Sequence, residues 1–271
     1  MNRDLKIKKV LAVEAAREAG NLLCKFRKDL RIEEKGKWNW VTNADRESER
    51  LITQLIKSFF PDDFIFGEEG AARGVEALQS LDQLWIVDPL DGTNNYVQGF
   101  NYFGVSIAYW DKGIPMLGVV FVPAMNELFV AARGEGAFYN HEQVNVSGRN
   151  DFNEAFIGTG IPYEPDSDGN INNDHVGNFL LKTHNLRCMG AAALDLAYVA
   201  SGRLDGFWEY GLAPWDVAAG ILLVEEAGGT VTNFIGGPVD IFSGKIVASN
   251  KLIHSKMLEV LSLGKTGMGN A

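Results

Sequence analysis

Trp85-Ile86-Val87-Asp88-Pro89-Leu90-Asp91-Gly92-Thr93-Asn94-Asn95-Tyr96 decides how the rest of the chain is read. An apolar run from Leu84 to Val87 ends in two acids, Asp88 and Asp91, with Pro89 stiffening the link and Gly92 freeing the backbone beyond. The pattern predicts a buried strand that ends at Val87 and runs into a charged turn. Two carboxylates so close together, buried without partners, take up protons rather than stay charged. A cation between them removes the conflict. Oxygen ligands with no His or Cys beside them favour Mg²⁺, or Mn²⁺ as a substitute, over zinc. Beyond them Gly92 and Thr93 offer backbone N–H groups and a hydroxyl where a helix or turn starts, a seat for an anion. Metal beside anion points to phosphate chemistry. The alternative is a plain acidic turn in which Asp88 caps a helix and Gly92 makes the bend.

With 271 residues, the chain is long enough for one large domain or two closely packed halves. A hydrophobic share of 46% and a charged share of 22% are those of an ordinary globular protein with a substantial core. The formal net charge of -10 argues against a protein that grips nucleic acid directly through a basic face. It suits one that reaches phosphate through metal ions. Cys24 and Cys188 lack the paired spacing of a zinc site or a disulfide framework, so both are expected to be small buried hydrophobes in a reducing compartment. Met1 to Lys9 is charged and lacks an apolar signal core, and no run approaches the roughly 18 apolar residues of a membrane span. Cytoplasm without membrane attachment is the expectation.

Taken in order, Ile7, Val10, Leu11, Ala15, Ala19, Leu22, Leu23 and Phe26 recur at helical spacing and predict a packing helix over 4–28. Arg31 to Trp40 lacks clean periodicity and reads as a mobile loop or a short hairpin. Thr42 opens a second helix whose apolar face is Leu51, Ile52, Leu55, Ile56 and Phe59, ending before Pro61. Asp45, three residues after Thr42, fits a capping box. Phe64 to Phe66 predicts a strand with Glu68 and Glu69 at its end. Alternating runs over 103–110, 116–122, 127–132 and 136–139 predict consecutive antiparallel strands. Another strand is expected over 156–159, then a polar loop over 162–173.

The last third alternates helices over 191–200 and from Pro214 to before Gly228 with strands at 207–208, 230–234 and 246–249, and closes with a helix over 251–263. This reads as an α/β half, 151–271, behind an α+β half, 1–150, with no linker between them. Asp216 falls in the first turn of its helix, where stabilising the dipole competes with ligand duty. Glu209, after a strand, is open in the same way. No internal repeat is evident.

Four motifs then stand together in order: Val41-Thr42-Asn43-Ala44-Asp45, Gly67-Glu68-Glu69, Trp85 to Asn94, and Pro214-Trp215-Asp216-Val217-Ala218-Ala219-Gly220. As a set, over nearly the whole chain, they resemble the inositol monophosphatases among the lithium-sensitive, metal-dependent sugar and nucleotide phosphatases. The resemblance implies an α+β fold, a layered α-β-α-β-α sandwich of the inositol monophosphatase and fructose bisphosphatase type. It implies hydrolysis of inositol monophosphate by metal-activated water, with two to three Mg²⁺ ions. Glu68, Asp88 and the carbonyl of Leu90 match the ligands of the first ion, and Asp88, Asp91 and Asp216 those of the second. Glu68 also faces a third.

Thr93 matches the hydroxyl that orients the water, with Asp45 behind it, and the N–H groups of Gly92 and Thr93 match the phosphate seat. Gly190, Ala191, Ala192 and Glu209 match the alcohol side. Two departures stand out: Asn39 replaces the usual Asp, and Trp38 and Trp40 occupy the loop near Lys35, which touches the third ion and lid behaviour. The resemblance also implies a homodimer.

Rival chemistries fail on the sequence. Neither Cys is followed six residues later by Arg, no Asp-x-Asp-x-Thr ends a strand, and the four histidines have no ligand spacing. Within the family the same metal motifs serve fructose bisphosphate, histidinol phosphate and 3′-phosphoadenosine 5′-phosphate. Some bacterial members also act as partners of the RNA synthesis machinery.

Overall fold

A computed structural model describes residues 3–36, 39–70, 82–162, 172–183 and 185–263. The side chains of Lys35 and Asn39, and the whole of Trp38, lie outside the described residues, so the expectations placed on them stay where the sequence left them. In chain order the elements are α1 (Arg3–Phe26), β1 (Ile32–Gly36), β2 (Asn39–Thr42), α2 (Asn43–Phe59), β3 (Phe64–Gly67), β4 (Leu84–Asp91), α3 (Thr93–Val97), β5 (Gly104–Asp111), β6 (Ile114–Val122), β7 (Glu127–Ala132), β8 (Gly136–Tyr139) and β9 (Glu142–Val144). They continue with β10 (Phe156–Thr159), α4 (Asn173–Leu180), β11 (Asn185–Cys188), α5 (Ala192–Ala200), β12 (Gly206–Tyr210), α6 (Pro214–Glu226), β13 (Thr230–Thr232), β14 (Lys245–Ser249) and α7 (His254–Leu261).

β4 is apolar on both faces because both are covered. Trp85 and Val87 point into a core shared with α1 and α2, while Leu84 and Ile86 point into one shared with α5 and α6. Each such side chain contributes about 1.5–3 kcal/mol on burial, enough together to fix the strand's register. The strand does not stop at Val87 as its sequence predicts. It continues to Asp91, pairing Asp88 with Ser106 and Asp91 with Gly104 across a bulge. Pro89 sits in that bulge, where a missing N–H costs no ladder bond, and its carbonyl accepts from Ser48 Oγ at 2.8 Å. The bulge bends the chain so that both acids reach the end of the sheet.

β4 lies in a seven-stranded sheet of order β3-β4-β5-β6-β7-β8-β9, parallel between β3 and β4 and antiparallel beyond. α1 and α2 cover one face, and α5 and α6 the other. A five-stranded sheet, β11-β10-β12-β14-β13, packs on the far side of α5 and α6, with α4 and α7 outside it. The fold is the α-β-α-β-α sandwich. The second sheet is mixed: β11, β10 and β12 run parallel, but β14 pairs antiparallel with both β12 and β13. The sheet of the α/β half read for 151–271 is therefore parallel on one side and antiparallel on the other. Among the described residues no helix is long and apolar enough to cross a membrane.

Several local differences have physical causes. On α1, Ile7 and Val10 face outward, and the buried stripe runs through Leu5, Lys8, Leu11, Ala12, Ala15, Ala16, Ala19 and Leu23. Its alanines let the helix approach closely, and Lys8 is accommodated because it pairs with Asp63 and lies 3.7 Å from the Phe60 ring centre. Trp85 Nε1 donates to the same Asp63 at 2.8 Å. On α2, Ile52 and Ile56 are buried, but Phe59 at the end is 63% exposed. Of the two readings of Arg31 to Trp40, the described residues follow the hairpin: β1 pairs antiparallel with β2. β9, α4 and β11 have no clear signature: β9 and β11 are polar edge strands, and α4 carries Gly177 and two Asn residues, poor helix formers.

Candidate active site

The proposed ligand, water-orienting and substrate-side residues, apart from Asp45, line one cleft of about 350 Å³: Glu68, Asp88, Leu90, Asp91, Gly92, Thr93, Gly190, Ala191, Ala192, Glu209 and Asp216. β3 and β4 run parallel, so Glu68 and Asp88 leave the same end of the sheet, and Glu68 N donates to Val87 O at 3.2 Å. Asp216 arrives from below on the first turn of α6, where Ala213 N donates to its Oδ2 at 2.7 Å. Capping and facing the cleft are thus compatible roles for that one carboxyl.

The acids are held at high electrostatic cost. Burial, then the charges of Glu68, Asp91 and Asp216, push the Asp88 carboxyl well above the usual range. Burial, then Asp216 and Asp195, do the same to Asp91. Asp216 is pushed up to about 6, chiefly by burial, against hydrogen bonds from Ala213 and Asp88 that favour its charged form. Each charge that acts strongly on Asp88 and Asp91 has their own sign. A bound divalent cation reverses that balance, so this all-oxygen donor set fits Mg²⁺ or Mn²⁺. The side chains are turned toward one another and toward main-chain N–H groups. Asp88 Oδ1 accepts from Leu90 N at 3.0 Å and Asp91 Oδ2 from Ala193 N at 2.9 Å. In that arrangement no three Asp, Glu, His or Cys among the described residues close on one point as a finished cage.

Gly92 adopts the left-handed conformation, φ +83°, and a β-carbon there would meet Tyr102 O at 2.9 Å and Ala191 Cβ at 3.2 Å, so only glycine fits the turn. Thr93 follows, buried, and its Oγ1 lies 3.1 Å from Asp45 Oδ1 and 3.0 Å from Leu90 O. With its hydrogen held by those acceptors, the hydroxyl turns a lone pair to the cleft. Asp45 is also the capping box of α2: its Oδ2 accepts from Thr42 N at 2.9 Å and Thr42 Oγ1 at 2.6 Å. Burial raises the Asp45 carboxyl, against the lowering effect of the Thr42 bonds.

On the opposite wall, Glu209 points from β12 into the cleft, and burial, then Asp195, Asp216 and Asp91, push its carboxyl well up. Its place exists because residue 160 is glycine. A β-carbon built there overlaps Oε1, Cδ and Oε2 of Glu209.

Sequence reasoning missed four residues here. Gly160 carries no signal, since the collision that makes it necessary is long-range. Asn95 was inside the quoted stretch but had no assigned role. Asp195 is fully buried on α5, accepts from Tyr102 Oη at 2.8 Å, and is pushed up to about 8 by burial. Cys188 was expected to be buried, but it is exposed and lines the cleft, and Cys24 is exposed too. Cys188 ends an edge strand and Cys24 lies on the outward side of α1, so neither reaches a core.

A larger hollow of about 660 Å³ lies among Ser147, Arg149, Glu154, Arg203 and Asp205. Its acids Glu154 and Asp205 are already paired with Arg149, at 2.9 and 3.0 Å, so it has neither the acid cluster nor the free dipoles of the cleft.

The layered sandwich and its cleft of buried carboxylates at the end of a parallel strand pair place this chain among proteins of one fold. The sequence profile described as "Inositol monophosphatase family" matches residues 6–263. "Inositol-1-monophosphatase" of Mesorhizobium japonicum is 40% identical over 92% of this chain and 94% of its own. "Nus factor SuhB" of Pasteurella multocida is 42% identical over 92% of this chain and 93% of its own. The solved inositol monophosphatase of Anabaena (Nostoc) sp. PCC 7120 superposes with a TM-score of 0.86 at 37% identity, covering 96% of both chains. The chain belongs to the inositol monophosphatase family.

Proposed function

We propose that the chain is a Mg²⁺-dependent phosphomonoesterase that hydrolyses inositol monophosphate to inositol and phosphate. The observation that carries this reading is the meeting of Glu68, Asp88, Asp91 and Asp216 in one cleft with the Thr93–Asp45 pair behind it. Glu68, Asp88 and the Leu90 carbonyl would hold one ion, Asp88, Asp91 and Asp216 would hold a second, and Glu68 would face a third. When bound, the ions acidify the attacking water and neutralise the leaving oxygen of an in-line displacement.

The chain's own residues do the rest. Thr93 accepts a hydrogen bond from the attacking water and so aims its lone pair at phosphorus, while Asp45 keeps the hydroxyl turned that way. The N–H groups of Gly92 and Thr93 hold phosphate oxygens. Glu209 and the Gly190–Ala192 segment hold the alcohol, with the Glu209 carboxylate accepting from a ring hydroxyl. The new P–O bond forms to the water as the ester P–O bond breaks, and the water's proton ends on the released alcohol. Residues 1–150 supply Glu68, Asp88 and Asp91, and 151–271 supply Glu209 and Asp216, so the two halves work as one unit. A panel of phosphate esters, including fructose bisphosphate, histidinol phosphate and 3′-phosphoadenosine 5′-phosphate, compared by kcat/KM in Mg²⁺ tests the reading. Inositol 1-phosphate should lead, and release of phosphate from none of them would end it.

The name Nus factor on a relative 42% identical favours a second reading, in which the chain also serves as a partner of the RNA synthesis machinery. The acidic balance directs that contact to protein rather than nucleic acid. Capture of that machinery from extract by wild type and by an inactive variant alike would separate this role from catalysis. Homodimer formation and a cytoplasmic location belong to the same proposal.

A further inference from the structure

We propose that Asn95 is a positioning residue: its side-chain amide locks the Met189–Gly190 turn, and with it the alcohol side of the cleft, to the phosphate turn. This rests on the alcohol and phosphate sides assigned under the proposed function. Asn95 stands on α3, two residues beyond Thr93. Its Nδ2 donates to Tyr102 O at 2.8 Å and to Met189 O at 2.7 Å, which uses both of its hydrogens. Gly190 O lies further off, at 3.4 Å.

The partners it joins are themselves parts of the site. Tyr102 O is the atom that forbids a side chain at Gly92, and Tyr102 Oη donates to Asp195 on α5 at 2.8 Å. Gly190, φ +77°, makes the left-handed turn into α5. Among the described residues no main-chain hydrogen bond joins 189–192 to 92–103. Side chains therefore connect the two walls: Asp91 at Ala193 N, Tyr102 at Asp195 on α5, and Asn95 at Met189 O. Asp91 and Tyr102 reach α5 itself, whereas Asn95 is the tie that meets the Met189–Gly190 turn before it. Without it the carbonyls of Tyr102 and Met189 lose their common donor, and the turn that carries the alcohol wall is free to move relative to the phosphate seat.

The test compares Asn95→Ala and Asn95→Asp with wild type. Asp matches Asn in size, but its carboxylate faces two carbonyl oxygens with no hydrogen to give. Hydrogen–deuterium exchange on the metal-free protein should show amides 190–193 exchanging about tenfold faster in both variants, the scale of one or two lost hydrogen bonds, with 214–226 on α6 unmoved. In Mg²⁺, KM for inositol 1-phosphate should rise about tenfold, and more in the Asp variant than in the Ala variant, with a distinctly smaller rise for glycerol phosphate. A residue that only supported the fold would speed exchange throughout and scale both substrates alike, and that outcome overturns the proposal. So does unchanged exchange at 190–193. If wild type hydrolyses neither ester while exchange at 190–193 still rises in the variants, the clamp stands and the assigned function falls.

Discussion

Gly160→Ala should remove the inositol preference without touching the metal ligands. A β-carbon at residue 160 overlaps the whole Glu209 carboxylate, and the backbone there is not left-handed, so alanine is refused only by that side chain. To restore ordinary contact of about 3.5–4 Å, the carboxylate has to withdraw by more than an ångström, beyond hydrogen-bonding reach of a ring hydroxyl. A lost charge-assisted hydrogen bond costs about 1.5–3 kcal/mol, which is roughly 10- to 150-fold in kcat/KM. The assay is kcat/KM in saturating Mg²⁺ for inositol 1-phosphate and for glycerol phosphate, which lacks the ring, in four proteins: wild type, Gly160→Ala, Glu209→Ala and the double variant. Either single change should lower the inositol value by that factor and the glycerol value far less. The double variant should be no worse than Glu209→Ala, because the methyl then occupies space the carboxylate has left. Independent, multiplying losses in the double variant would refute the steric coupling, and equal losses on both esters would refute the role of Glu209.

Asp195, not itself a proposed metal ligand, gives a pH prediction. Its folded value of about 8 lies above the ordinary 3.8, so the folded state binds the extra proton and stability falls as pH rises through that interval. Thermal melts of Asp195→Asn in chelator should lose part of the wild-type decline between about pH 4 and pH 8; parallel curves would sink the assignment. Lithium, through the family resemblance, should inhibit phosphate release in an uncompetitive or mixed pattern, and complete insensitivity would count against the second ion site. A change in tryptophan fluorescence on adding Mg²⁺ with phosphate should vanish in a Trp38→Phe, Trp40→Phe double variant, while a persisting signal would move it to Trp85, Trp110, Trp208 or Trp215.

The legible parts of this molecule are those set by local chemistry. Leu84 to Val87 announces a strand covered on both faces, Thr42 with Asp45 announces a helix start, and Asp88, Asp91 and Asp216, carboxylates in apolar or dipolar settings, announce the cleft that they line together. What stayed hidden is set at long range. Nothing near Val87 shows that the strand survives a bulge to Asp91, because the pairing that continues it comes from Ser106 and Gly104. Ile7 and Val10 look like core until the alanines of α1 show which stripe packs. Gly160 is intelligible only with Glu209 in place, and Asn95 only once Met189 lies beside it. Cys188 was misplaced because cysteine is usually buried, and an edge strand beside an open cleft overrides that habit.

The central claim, that Asp88 stands between two cations which carry the chemistry, is tested most directly by phosphate release from inositol 1-phosphate by Asp88→Asn in saturating Mg²⁺. The change removes a charge shared by both proposed ion sites while keeping the side chain's shape, and it also relieves a buried like-charge cluster. Turnover should fall at least about a hundredfold, the scale of a lost transition-state charge partner, while the melting temperature in chelator is unchanged or higher than wild type. Turnover within about tenfold of wild type, from protein that melts normally, would contradict the account.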